Sequence, residues 1–340
     1  MSLPTQRSMR LLLASLSLST LSLVPILLLH PIPPVLAGSS DPAALLQQGR
    51  VDEASFALTA LIAAHPADAR PRQLLCRALY VQDMVEAAIP QCERAVANDP
   101  ADSENRMWLA RAYGIKASTA NPLAALTLAK KVHTGFERAV ALDPNNVRAM
   151  SDLGEYYVAA PAIVGGGLDK AQVLAATMQP RFPSQAHRLL AFIAEKKKDD
   201  ADAETEFRNA VDAGHTPAAY IDLGHFYQRH NQPARMLEAL RAGVASDHHK
   251  DASLVDAASI LTEAHSSPQL AEDLLRTYLA SPAKSDDAPA FKVHLQLGNL
   301  LAQNGDPDSA HREYASALAL ASNFAPARKA LQGPSPKAIP

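Results

Sequence analysis

A chain of 340 residues with a formal net charge of −3 carries no basic surplus, which excludes a nucleic-acid partner held through its phosphates. Apolar residues make up 48% but aromatic residues only 5%, so the core must be built mainly from Ala and Leu. That composition suits closely packed helices and suits a β-sandwich badly.

In chain order, the first 37 residues read as a secretory signal. Arg7 and Arg10 give a positive start, Leu11 to Leu29 is an uncharged apolar run, and Pro34-Val-Leu-Ala37 offers small residues before Gly38. A cut between Ala37 and Gly38 is expected, placing the rest of the chain in a periplasm or outside the cell. The apolar run also approaches the length of a spanning helix, so an uncleaved anchor is the competing reading. Pro25 and the scattered serines weigh against it, and contact with a membrane is expected only if the signal is retained.

Beyond the signal a proline ladder sets the organisation. Pro66, Pro100, Pro144, Pro183 and Pro217 are spaced by 34, 44, 39 and 34 residues. Two helical stretches fit in each interval, with Leu and small residues recurring every three or four positions. Proline punctuates such units because it has no donor and cannot continue the preceding helix. Within the units Tyr220…Leu223-Gly224…Tyr227 recurs as Met150…Leu153-Gly154…Tyr157 and as His294…Leu297-Gly298…Leu301. A second pattern, Ala and then an aromatic four residues later, appears as Ala203…Phe207 and Ala310…Tyr314, with Ala88…Cys92 as a degenerate copy. Gly49, Asn231 and Gly305 stand where the first helix must turn and tolerate a left-handed backbone; Lys198 holds the same place against that preference.

These patterns resemble the tetratricopeptide-repeat family, and 34 residues is the family's period. The resemblance implies an all-α, right-handed solenoid of about eight helix pairs over residues 38–331. The last pair falls at 289–325, Ala325 to Leu331 would form a capping helix, and residues 332–340 read as a frayed Pro-rich tail. The unit at 251–282 is degenerate, with His265-Ser-Ser where a turn glycine is expected.

Cys76 and Cys92 fall on the two helices of one unit and should face one another across its seam. The export signal favours a disulfide over two small thiols in a core. No metal or cofactor pattern accompanies them.

Family members bind peptides and partner domains along an inner groove lined by the first helices. Carried onto this chain, that register places Arg70, Arg77, Arg111, Arg148 and Arg188 in the groove, with Tyr80, Met107 and Phe192 among them and Glu104, Glu155 and Glu195 on the same surface. Arginine's planar fork matches carboxylates, so the expected partner is a protein or peptide with an acidic segment or a free C-terminus. The Lys/Asn set with which some family members clamp a terminal carboxylate is not reproduced. The competing reading is a charge-balanced face in which each Arg pairs with a neighbouring carboxylate.

A second candidate is the edge formed by two insertions, Ala117 to Lys130 and Ala160 to Gly167, both expected in inter-helix turns. Pro161, Ile163, Gly165 and Gly166 would project there, beside Lys116, Lys130, Lys131 and His133. The Gly165-Gly166-Gly167 run follows a helix rather than a strand and lacks a following Lys-Ser/Thr, so it does not read as a phosphate loop. No HExxH, GxSxG or Cys/His constellation occurs. The expectation is therefore a non-catalytic adaptor or assembly scaffold outside the cytoplasm, the alternative being a transport-associated component that holds a small molecule or lipid.

Overall fold

The computed structural model describes residues 41–333; the expected export signal and most of the C-terminal tail lie outside them. Seventeen α-helices and one short 3-10 turn make up that unit, with no strand among the described residues. The helices fall into eight hairpins: α1 Pro42–Gln47 with α2 Val51–Ala64, α3 Ala69–Val81 with α4 Val85–Asn98, α5 Ser103–Thr119 with α6 Pro122–Leu142, and α7 Val147–Ala159 with α8 Leu168–Met178. They continue as α9 Pro183–Lys197 with α10 Asp200–Gly214, α11 Pro217–Arg229 with α12 Pro233–Ser246, α13 Ser253–Glu263 with α14 Pro268–Ala280, and α15 Ala290–Gln303 with α16 Pro307–Leu320. A final helix, α17 Ala325–Leu331, covers the end of the last pair.

Local chemistry explains the punctuation. Asp68, Asp102, Asn146, Asp199, Thr216 and Asp306 each accept a hydrogen bond from a backbone N–H in the first turn of the helix that follows. Pro183 and Pro217 stand at helix starts, where the missing donor costs nothing. Six of the eight hairpin turns share a left-handed residue at the same place: Gly49, Asp83, Lys198, Asn231, His265 and Gly305 all have positive φ. Lys198 and His265 therefore hold the conformation that glycine holds in the neighbouring units, at some conformational cost. The Leu-Gly pairs allow close approach, since a Cβ at Gly154 would lie 2.7 Å from Leu189 and one at Gly224 2.7 Å from Leu240.

Two differences from the sequence reading stand out. The insertion at 117–130 lengthens helices rather than a turn, because Asn121 caps and Pro122 opens α6 after a break of only two residues, and the segment is rich in Ala and Leu. Neither is the inner face an open groove. Phe291 of α15 is buried in one cluster with Leu45, Leu46 and Val51 from the first hairpin, and stacks edge-on with Phe324 at 4.9 Å. Lys292 Nζ reaches Asp83 Oδ1 at 2.7 Å, the Ser322 N–H donates to Asp52 Oδ2 at 2.8 Å, and a Cβ at Gly49 would lie 2.8 Å from the Ala290 nitrogen. The first and last hairpins thus cover one another's apolar ends, where a linear array would need two separate polar caps.

Cys76 and Cys92 form a disulfide across the α3–α4 hairpin, with Cα atoms 5.2 Å apart. In the chain-entropy model such a bridge contributes about 3 kcal/mol.

Candidate functional site

The first helices of successive hairpins turn a row of charged side chains inward. Around Trp108 of α5, which is 1% exposed, three guanidinium groups converge: Arg77, Arg111 and Arg148 lie 5.1, 4.8 and 5.5 Å from its ring centroid. Tyr80 meets the same ring edge-on at 5.4 Å, and the indole N–H donates to Glu104 Oε2 at 3.2 Å. Three cations on one ring gain from its quadrupole but repel one another, so carboxylates must balance them.

The chain supplies those carboxylates itself. Arg77 Nε donates to Asp286 Oδ2 at 2.7 Å, and Arg148 Nη2 to Asp287 Oδ1 at 2.9 Å. Both aspartates belong to the connection between α14 and α15, residues 281–289, which is pinned by Tyr278: its hydroxyl donates to the Ala288 carbonyl at 2.7 Å and accepts from the Ser285 N–H at 3.0 Å. Arg111 grips Asp152 with two bonds of 2.6 and 3.1 Å. Burial pushes the Asp152 carboxyl above its usual range against the pull of Arg111; burial alone would lower the Arg111 guanidinium, and the bonds to Asp152 hold it above its usual value.

Further along, Arg188 bridges Asp222 at 2.8 Å and Glu155 at 2.7 Å, with its guanidinium 4.5 Å from the Phe192 ring. Beside it a cavity of about 410 Å³ is lined by Ser151, Asp222, His225, Asp256 and Glu263. Burial lifts the Asp222 carboxyl despite Arg188 and lowers the His225 imidazole. Burial and the neighbouring charges of Asp222, Asp251 and Asp287 push Asp256 up to about 6. Among the described residues no group of three or more His, Cys, Asp or Glu side chains could hold a metal ion, and no helix is long and apolar enough to cross a membrane.

Of the expected groove residues, Arg77, Tyr80, Arg111 and Arg148 come together on Trp108. Arg188 and Phe192 form a separate contact two hairpins along, Arg70 stands apart and exposed, bonded to Gln73, and Met107 is fully buried in the core. At the insertion edge Pro161 and Ile163 are exposed, Ile163 at 73%. The glycines beside them are tied down: Gly165 (φ 101°) packs on the His133 ring, Gly166 lies under the Ala160 carbonyl, and the Tyr156 hydroxyl sits 2.7 and 2.8 Å from the carbonyl oxygens of Val164 and Ala129. Trp108, Asp286 and Asp287 escaped the sequence reading. Two signals pointed to them: the chain's one tryptophan falls three residues before Arg111 on the same helix, and the α14–α15 connection is much longer than the inter-unit turns marked by the proline ladder.

Residues 45–112 match the model of the tetratricopeptide repeat. The fold is that of a tetratricopeptide-repeat solenoid. It is similar to the crystal structure of yeast Tom70, with a TM-score of 0.50 and 16% identity over 83% of this chain and 58% of that one. This solenoid chain thus spans little more than half of that protein's length. A thermophilic tetratricopeptide-repeat protein of Thermus thermophilus matches with a TM-score of 0.44 and 17% identity over 59% of this chain and 95% of its own. One from Parabacteroides merdae matches with a TM-score of 0.44 and 11% identity over 86% and 94%. No curated protein sequence matches the chain.

Proposed function

We propose that this chain is a non-catalytic adaptor outside the cytoplasm that holds a partner protein through an acidic segment laid against the Arg77–Arg111–Arg148 face. One observation carries the reading: two of these arginines already bind aspartates from a nine-residue connecting segment that is not helical. A surface that selects carboxylates on an extended stretch of its own chain has the geometry to select them on another. The partner segment takes the place of residues 284–288 on the three guanidinium groups, with the buried ring of Trp108 directly beneath them. The signal-like sequence of residues 1–37 supports the location, as does the Cys76–Cys92 bridge, which suits an oxidising compartment. A lipid-holding role fits less well, because the cavity beside Arg188 is lined by Asp222, Asp256 and Glu263 as well as by apolar residues.

Trp108 is the chain's one tryptophan, so its emission reports this face directly. Titration with a twelve-residue Asp/Glu peptide should shift that emission, and the double variant Asp286→Asn, Asp287→Asn should bind at least tenfold more tightly. No shift in either protein, or equal affinity in both, would show that the arginines serve only to close the solenoid.

A further inference from the structure

The lengthened hairpin α5–α6 carries a surface that the inner-face reading does not use. Within Pro122 to Lys130, the first part of α6, only Leu128 is buried in the core, joining Val132, Phe136 and Ala139 further along, whereas Leu123 is 78% exposed and Leu126 43%. With Leu109 and Tyr113 of α5 these two leucines floor a furrow of about 870 Å³. Its rim is Arg106, Lys130, Lys131 and Arg138, and no carboxylate lines it. Lys131 lies over the Tyr113 ring at 4.7 Å, and among the described residues none of the four cations is in an ion pair. Elsewhere Arg77, Arg111, Arg148, Arg188, Arg229 and Arg235 all are.

We infer that the α5–α6 furrow is a second docking site, for an amphipathic helix of a partner protein that carries acidic residues beside its apolar stripe. Charge complementarity selects the occupant: an apolar floor between four unpaired cations suits Leu-type anchors at helical spacing flanked by Glu or Asp. The shape favours a helix over a membrane, because Leu109 and Tyr113 of α5 line the same furrow as the two leucines of α6, so an occupant must lie between two helices. Residues 1–40 and 334–340 do not fit as occupants, since they contain no acidic residue. The site is independent of the inner face.

The test uses the full chain and a fluorescein-labelled sixteen-residue helix with Leu at i, i+3, i+4 and i+7 and Glu on its flanks, followed by anisotropy. Saturable binding is expected, at least tenfold weaker for Lys130→Glu, Lys131→Glu and for a scrambled peptide of the same composition. Trp108 emission should stay unchanged, and Asp286→Asn, Asp287→Asn should have no effect. Binding that shifts Trp108 emission and survives the charge reversal belongs to the inner face and overturns the inference. So does binding to phosphatidylserine vesicles without binding to the peptide, which would make the furrow a membrane contact. Concentration-dependent dimerisation abolished by the same charge reversal would make it an interface between two copies, and also overturns it.

Discussion

The inner face and the outer furrow are built from the same residue types and behave oppositely. Inside, Arg77, Arg111 and Arg148 are each matched to an aspartate, and Trp108 beneath them is buried. Outside, Arg106, Lys130, Lys131 and Arg138 surround exposed leucines with no carboxylate among the lining residues. At Arg77 and Arg111, then, charge has become part of the fold, and removing one partner strands the other in a poorly hydrated place, whereas the Arg148–Asp287 pair is open to water. Outside, Lys130, Lys131 and Arg138 are exposed and available, and stability hardly depends on their charge, while Arg106 is half-buried and bonded to the Pro100 carbonyl. A repeat array can therefore hide recognition chemistry in its own closure while an insertion displays more of it.

The contrast is broken most severely at Trp108. Replacing it with Ala should cost about 3–5 kcal/mol, read from the denaturant midpoint, since the ring is fully buried and three guanidinium groups lose their floor. Next comes Asp286→Ala, which leaves Arg77 without a partner where the two side chains are 6% and 13% exposed; a loss of about 3 kcal/mol is expected. The double change Asp286→Leu, Arg77→Met should recover much of that loss. If the double variant is no more stable than the single one, the pair does more than neutralise itself.

Much of this was legible beforehand. The proline ladder and the Leu-Gly and Ala-aromatic patterns reflect local rules, helix breaking and close packing, and they pointed to about eight hairpins, where the structure has eight. Even the degenerate hairpin α13–α14 follows the common turn, with His265 left-handed. What the sequence hid depends on long-range geometry. Nothing local to Asp286 says that it meets Arg77 from 209 residues away, or that Phe291 closes on Leu45. The insertion at 117–130 was misread for a different reason: its helix-forming composition outweighed the expectation that extra residues fall in turns.

A smaller effect sharpens the electrostatics of the cavity next to Arg188. Asp256, pushed up to about 6, binds its proton more tightly in the folded chain than in the unfolded one, where 3.8 is usual. Its contribution is therefore most favourable below pH 4 and is lost as the pH rises through 6. Asp256→Asn should raise the melting temperature at pH 7.5 and give no gain at pH 4. Asp256 opens onto the cavity and is screened by water, so the gain will be modest. Equal shifts at both pH values would mean that packing, not charge, governs this position.

The smallest expected effect on stability is at the furrow, and that is its use. Leu123→Ser with Leu126→Ser removes two exposed apolar side chains that the core does not hold, so the melting curve should move by no more than about 0.5 kcal/mol in equivalent stability. Against that unchanged background, binding of the acidic amphipathic helix should be lost. A clear loss of stability in the same variant would mean that the leucines belong to the packing of α6. The outer furrow would then resemble the inner face after all, a surface already used by the fold.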